Sequence, residues 1–227
     1  MAAIDRSFSF AGVARRYDTL NHLMSLGRDQ GWRRAAAAAL ELPAGALVLD
    51  VGAGTGDMSL ALLRRWPDAI AVGVEPAAEM IRAGWGKPDA ARINWAQGDG
   101  LRLPFPAGRF DGVVSAFLLR NVPDVERALA EQSRVVKPGG RVVCLEMTWP
   151  QTPVFRELFR FYFARLAPPI MGVLSGQPAA YRYLPRSVEQ FLKPDELEAV
   201  MERVGLQNVQ HRTLMLGTVA LHVGERK

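Results

Sequence analysis

The chain is short of the residues that build disulfides and metal cages. Of its 227 residues, one is cysteine, Cys144, and three are histidine. A lone cysteine excludes an intramolecular disulfide and fits a reducing compartment. With no Cys/His cluster and no metal-ligand spacing in the sequence, no metal is expected. Uncharged apolar runs of about 18 residues are missing, so no membrane-spanning helix is expected. The N-terminus lacks an apolar stretch of the secretory type, which makes a cytoplasmic location the expectation. Internal repeats are missing too, and the one biased segment, residues 35–39, is an alanine run that favours helix. Charge is not heavily of one sign. The net of +5 admits an anionic partner, either nucleic acid or an acidic lipid surface, and suits an ordinary soluble protein as well.

What is present reads as one globular domain. Hydrophobic residues make up 49% and charged residues 22%, enough to bury a sizeable core. From residue 45 to about 147, strand and helix patterns alternate. Strands are expected from 48, over 69–75, 92–96, 109–117 and 141–147. A helix is expected over 124–136, stopped by Lys137-Pro-Gly-Gly140. Single helices between strands imply parallel pairing with right-handed crossovers. After a helix over 194–204 come strands at 206–215 and 218–223, joined only by Gly217, which permits only antiparallel pairing. Residues 1–41 read as N-terminal helices, 42–149 as the core, 150–192 as an insertion placed to form a lid, and 193–227 as the closing helix and hairpin. The insertion lies at the carboxyl ends of the strands, where ligands bind in such sheets.

The sharpest signal is Val48-Leu-Asp-Val-Gly-Ala-Gly-Thr-Gly56, followed by Asp57. An apolar strand enters a glycine-rich turn and an amphipathic helix leaves it, the layout of a nucleotide-type site. A dinucleotide loop has Gly-x-Gly-x-x-Gly and holds pyrophosphate at the helix N-terminus. Here the third glycine comes one place early and a carboxylate follows it. Asp50 and Asp57 flanking Gly52, Gly54, Thr55 and Gly56 suit a cationic ligand without phosphate. S-adenosylmethionine (SAM), with its sulfonium and ammonium groups, is such a ligand. Glu75, at the end of the second strand, is placed to accept from ribose hydroxyls. Asp99, with Gly100 beside it after the third strand, is placed to accept from an adenine amino group. Strand-end carboxylates also cap helices, so it is the three sites together that support the reading. A parallel sheet closed by an antiparallel hairpin is the seven-stranded, mostly parallel, Rossmann-like α/β arrangement expected of class I SAM-dependent methyltransferases.

Outside this core, Tyr17-Asp-Thr-Leu-Asn-His-Leu-Met-Ser-Leu-Gly-Arg-Asp-Gln-Gly-Trp32 resembles the N-terminal signature of the quinone-ring C-methyltransferases (the UbiE/MenG family). The stretch from Arg134-Val-Val-Lys-Pro-Gly-Gly140 to Leu145-Glu146 is similar to the family's second signature. Leu119-Arg120-Asn121-Val122, Tyr181-Arg182-Tyr183-Leu184 and Gly217-Thr-Val-Ala-Leu-His222 also resemble family segments, so the likeness covers nearly the whole chain. The chain departs from the pattern at Leu20, at Met147-Thr148, at Ala116, where the family often has Ser, and over 175–180. The resemblance implies SAM-dependent methylation of a prenylated quinol ring in menaquinone or ubiquinone biosynthesis, foremost demethylmenaquinol to menaquinol. It implies Arg120 and Asn121 as the catalytic pair and puts Ala116 at the cofactor's edge. Tyr17, Tyr181, Arg182 and Tyr183 become candidate substrate and lid residues.

The residues suit that chemistry. The ring carbon becomes nucleophilic as the neighbouring hydroxyl loses its proton, which calls for alignment and a proton acceptor or relay. Arginine has a pKa above about 12 and cannot serve readily as that base. It can stabilise a phenolate, orient a water, or simply tie a loop to a carboxylate. Tyr17 and Asp18 either close over the cofactor or pin the N-terminal helices. His22, His222 and Cys144 read as structural. Phe155, Leu158, Phe159, Tyr162 and Leu166 share one helical face, with Arg156 and Arg160 on the other side and Phe161 projecting away. With the apolar residues 170–174, segment 155–174 suits either a lid on the inner face of a membrane or a core helix. A homo-oligomer is left open. A nucleic-acid methylase fits less well: there is no Asp/Asn-Pro-Pro-Tyr motif, no Pro-Cys nucleophile and no basic run interleaved with aromatics, so no nucleic-acid partner is expected. A methylase of another lipid or small molecule, or a non-catalytic SAM-binding module, also remains open.

Overall fold

The computed structural model describes residues 17–166 and 185–227. Seven strands form one sheet: β1 (Leu47–Val51), β2 (Ile70–Glu75), β3 (Ile93–Gln97), β4 (Phe110–Ala116), β5 (Val136–Met147), β6 (Leu206–Leu214) and β7 (Val219–Arg226). Their order is β3-β2-β1-β4-β5-β7-β6. The four pairings from β3 to β5 run parallel, and the β5–β7 and β6–β7 pairings are antiparallel. The chain therefore reverses direction from β1 outward to β3 and back to β4, which leaves a crevice above the C-terminal ends of β1 and β4.

Side-chain alternation along the strands builds two cores. On one face Val48 of β1 packs with Ala36 and Ala37 of α2 (Asp29–Ala39) and with Leu62 of α3 (Asp57–Arg65). Leu49 and Val51 face the other way, toward Leu129 of α5 (Val125–Val135) and Leu197 of α7 (Pro194–Arg203). Asp50 falls by the same alternation on the α2/α3 side, and this decides its environment below. The remaining helices are α1 (Tyr17–Met24), α4 (Ala78–Trp85) and α6 (Pro153–Phe161). The start of α5 follows the expected logic, because the Asp124 carboxylate accepts from Arg127 N–H at 2.9 Å.

Three local expectations change. Lys137-Pro-Gly-Gly140 does not separate α5 from β5. The strand already begins at Val136, pairs with Phe110, and resumes pairing with Arg141 opposite Gly112, so the four residues loop out as an irregularity. Gly139 has φ +78°, and a Cβ on Gly140 would lie 2.6 Å from the Asp111 carbonyl oxygen, which is why glycines occupy the loop. The hairpin tip is broader than Gly217 alone: Met215, Leu216 and Gly217 form a short turn, all with positive φ. Finally, α6 gives way after Phe161 to a π-helical turn, Tyr162–Leu166.

His222 and Cys144 sit in the strands as inert groups. Burial pushes the Cys144 thiol up to about 12. The His222 ring is 1% exposed, with Nε2 3.1 Å from the Pro194 carbonyl oxygen. Burial pushes its pKa down to about 4, despite that hydrogen bond. The unfolded chain, with histidine near the ordinary 6.5, then takes up the proton first. The stability contributed by neutral His222 is complete above about pH 6.5 and is lost as pH falls toward about 4, a loss on the order of 3 kcal/mol. His222→Gln cannot protonate. Between pH 7 and 4.5 its urea midpoint is expected to fall less than that of the wild type, and equal falls would show that His222 does not titrate with folding.

Candidate active site

The glycine loop turns immediately after β1. Gly52, Gly54 and Gly56 have φ of +71°, +58° and +86°, values that disfavour any side chain. Space excludes one as well: a Cβ on Gly52 would lie 2.7 Å from Leu118 Cδ1, and one on Gly56 would lie 2.9 Å from Ile93 and Trp95. Glu75 comes to the loop from the end of β2. Its Oε2 accepts from Gly54 N–H at 3.1 Å and its Oε1 from Ala77 N–H at 3.0 Å. Burial raises its pKa while the two backbone donors oppose that shift. The carboxylate is thus locked in orientation with an acceptor lone pair left on each oxygen. That fits a ligand offering paired hydroxyls.

The other members of the expected cofactor set occupy distinct places. Asp99 is exposed, and its Oδ1 accepts from Leu101 N–H at 2.9 Å. Gly100 lies 3.3 Å, by its hypothetical Cβ, from Val51 Cγ1 at the end of β1, so Asp99 and Gly100 edge the same crevice as the loop. Ala116 ends β4. Asp50 lies deeper than its place in the motif suggests. It is 1% exposed, its Oδ2 accepts from Ser59 Oγ at 2.6 Å, and its Oδ1 is buried without a partner. Burial raises its pKa to about 6.

Thr55 and Asp57 are engaged differently from the free flanking charge read in the sequence. Lys87 Nζ lies 2.5 Å from Asp57 Oδ1, 2.8 Å from Thr55 Oγ1 and 2.8 Å from Asp18 Oδ2. Thr55 in turn donates to Asp18 Oδ1 at 2.6 Å. Asp57 is neutralised by Lys87, a residue that the motif does not reveal. Asp18 takes the pinning role: it ties α1 to the glycine loop. Tyr17 starts α1. Tyr181, Arg182 and Tyr183 lie outside the described residues.

Beyond β4 the backbone turns sharply. Phe117 has φ +59°, a left-handed conformation that costs a non-glycine residue about 1–2 kcal/mol. Its carbonyl repays this by accepting from Arg120 Nη1 at 2.8 Å and Asn121 Nδ2 at 2.9 Å. A single hydrogen bond from a charged donor contributes about 1.5–3 kcal/mol, so the turn holds. Arg120 Nη1 also pairs with Glu146 Oε2 at 2.9 Å, and both side chains are nearly fully buried, at 8% and 2% exposure. Burial raises the Glu146 pKa and Arg120 opposes that shift. Arginine tied to a carboxylate was the plainer of the expected roles, and the structure shows it. The tie does not use the whole guanidinium: Arg120 Nε is buried without a partner.

Arg120 stands at one end of a cavity of about 500 Å³. Met24, Leu26 and Trp32 roof it, Met215 and Thr218 come from the hairpin tip, and Phe155 to Phe163 close the far side. The N-terminal signature therefore folds as α1, a turn and α2 over this cavity. Within it His22 Nδ1 lies 3.0 Å and Ser25 Oγ 3.1 Å from Asp29 Oδ1. Phe161, expected to project away from the apolar stripe, is 52% exposed and also borders the cavity, and Phe163 is 2% exposed. The wider π turn shifts the phase of side chains beyond residue 161 relative to an α-helix. Phe155, Phe159 and Phe163 stack in succession at 6.4 and 5.0 Å, with Trp149 edge-on at 5.5 and 6.2 Å.

The residues matched by a family model run from 6 to 226, and that model describes the ubiE/COQ5 methyltransferase family. The chain belongs to this family. It is 41% identical over 218 residues to a demethylmenaquinone methyltransferase of Roseiflexus castenholzii, covering 96% of this chain and 92% of that one. It is likewise 41% identical over 220 residues, 96% of this chain and 91% of the other, to a demethylmenaquinone methyltransferase of Deinococcus radiodurans. Among solved structures, the putative methyltransferase in complex with the Haloferax volcanii Trm112 activator superposes with a TM-score of 0.69 at 18% identity, over 96% of this chain and 97% of that one, which shows the fold. The protein is a SAM-dependent methyltransferase of class I fold.

Sequence reasoning did not single out Arg33, Phe117 or Lys87, nor Asp29 within the N-terminal signature, and only the fold brings them to the site. It also missed Asp195, Glu198 and His211, whose possible ligand atoms lie within 4.8 Å of one another on α7 and β6, away from the glycine loop.

The Arg120–Glu146 pair has a measurable consequence. Removing one partner of a buried pair costs about 3–5 kcal/mol, while replacing both with apolar groups is near neutral. Glu146→Leu is expected to lose stability in that range by urea denaturation, and Glu146→Leu/Arg120→Met to regain most of it. Equal losses in the two variants would show that the pair is not the relevant contact.

Proposed function

We propose that the chain transfers a methyl group from SAM to a ring carbon of demethylmenaquinol, giving menaquinol. One observation carries this reading: a largely apolar cavity of about 500 Å³, rich in aromatic side chains, has Arg120, Arg33 and Asp29 among the few polar residues that line it. That volume lies in the range of small-molecule sites, and its composition suits a quinol head group that hydrogen-bonds to a few polar residues and a hydrocarbon tail that packs on the aromatic ones. The names of the relatives agree with it.

In this reading the cofactor is held by Asp50, Gly52, Gly54, Thr55, Gly56, Glu75, Asp99, Gly100 and Ala116. Glu75 receives the ribose hydroxyls and the glycines admit the ligand to the backbone, while Asp50 and Thr55 act from beneath by holding the loop. Bound there, SAM supplies an electrophilic methyl on a sulfonium, chemistry for which we propose no metal. Arg120 is held in place by Glu146 and by the Phe117 carbonyl. It stabilises the ring oxygen as its proton leaves, and Asn121 fixes the same turn. Tyr17 of α1, together with Tyr181, Arg182 and Tyr183 of a lid formed by residues 150–192, completes the substrate side.

Phe161 and Leu158 are 52% and 63% exposed and Val154 is 83% exposed, although all three are large and apolar. No residue of α6 is buried. Among the described residues no helix is long and apolar enough to cross a membrane. We therefore propose that α6 rests on a lipid surface and passes the tail into the cavity, with the protein peripheral to the inner face.

Purified protein with SAM and a short-tailed demethylmenaquinol is expected to yield the singly C-methylated quinol. Arg120→Gln should lower kcat about 100-fold, as loss of an oxyanion donor does, and leave the Kd for S-adenosylhomocysteine within twofold by calorimetry. Methylation of a 2-methoxy-6-polyprenyl-benzoquinol in preference to the naphthoquinol would favour the ubiquinone-type reaction instead. No binding of S-adenosylhomocysteine would sink both. For the lipid contact, Phe161→Ser should reduce co-sedimentation with anionic vesicles several-fold, and unchanged partition would refute it.

A further inference from the structure

Arg33 is a buried cation without a counterpart. It lies one turn after Asp29 on α2 and is 7% exposed. Its Nε is buried with no hydrogen-bond partner, and among the described residues it makes no ion pair within 4.0 Å. Asp50 acts on it only through space. Its one close contact of electrostatic kind is the Phe117 ring, with the guanidinium carbon 5.4 Å from the ring centroid. Desolvating a guanidinium costs several kcal/mol unless an acceptor compensates, and a cation–π contact returns only about 1–2 kcal/mol. Folding alone does not account for this placement.

The charge borders the cavity. Arg120 sits over the same ring at 5.6 Å, and its Nε is also buried and unpartnered. Two guanidiniums with unused donors therefore meet at one aromatic side chain that borders a largely apolar space. A hydroquinone ring presents two oxygens on opposite sides. We infer that Arg33 grips one ring oxygen of the quinol while Arg120 serves the oxygen next to the reacting carbon. This rests on the quinol reading above. Arg33 is thereby a substrate-positioning residue: it fixes which ring carbon faces the methyl donor, and its charge strengthens the hold as the ring gains phenolate character. The carboxylate of SAM offers the same anionic oxygen chemistry. The ring oxygen is favoured because Arg33 borders the cavity, whereas the glycine loop and Glu75 do not.

The test compares wild type, Arg33→Met and Arg33→Lys with a short-tailed demethylmenaquinol. Arg33→Met is expected to raise KM for the quinol or lower kcat/KM by about 10- to 100-fold, the size of a lost charged hydrogen bond. Its Kd for S-adenosylhomocysteine should stay within twofold, and Arg33→Lys should recover part of the loss. Since Met removes an unpaired buried charge, the melting temperature of the ligand-free protein should hold or rise. Weaker S-adenosylhomocysteine binding with unaltered quinol kinetics would assign Arg33 to the cofactor carboxylate and overturn the inference. So would a lower melting temperature with kinetics unchanged. A wild type that binds S-adenosylhomocysteine but leaves the quinol unmethylated would instead remove the quinol reading, and this inference with it.

Discussion

A carboxylate at the end of β5 governs the working end of this molecule. Glu146 is buried beneath the crevice, accepts from Arg120 Nη1 at 2.9 Å and from Met147 N–H at 3.2 Å, and cannot be left unpaired in that setting. Pairing it requires the chain after β4 to turn back at once, and the strained backbone of Phe117 is the result. The Phe117 ring then stands between the polar chemistry of the strand ends and the aromatic wall of the cavity. The direction of Arg120, the carbonyl that anchors Asn121 and the position of the ring under Trp32, 6.4 Å away edge-on, all follow from one ion pair.

The two halves of the site are held by opposite means. On the cofactor side, a polar stitch of Asp18, Thr55, Lys87 and Asp57 joins α1 to the glycine loop through short contacts. Lys87 is 17% exposed in it and Asp57 18%. Charges that are mostly shielded from water interact more strongly than surface pairs, which contribute about 0–1 kcal/mol. On the substrate side almost nothing is polar. Stacked phenylalanines and Trp149 supply shape without directional bonds, so that wall can adjust to a flexible hydrocarbon while the loop keeps a fixed geometry.

Much of this was legible from residue order. Strand and helix spacing, the turn at Val48 to Gly56, and the hairpin with its short tip follow from periodicity and glycine placement, both local properties. The β5 boundary did not follow, because Lys137 to Gly140 carries every sign of a helix stop. Only pairing of Val136 with Phe110 shows that the strand has already begun. The π turn after Phe161 did not follow either, because no residue type announces it. Lys87 and Arg33 were invisible because their importance lies in what surrounds them. One is a lysine in a loop and the other an arginine beside an alanine run, and only tertiary packing turns them into a clamp and a buried charge.

Among the described residues the cavity has walls from five stretches of chain: residues 24–33, Phe117 and Arg120 after β4, Met147 at the end of β5, residues 155–163, and the hairpin tip at 215–218. Sequence separation of that size delays closure, since distant contacts form only after large loops have closed. A chain emerging during synthesis can complete β1 to β5 and its glycine loop while the hairpin tip is still unmade. The glycine-loop crevice thus draws on β1 to β4, whereas the cavity needs the hairpin tip as well. A chain that stops short of the hairpin lacks the wall that Met215 and Thr218 give this cavity.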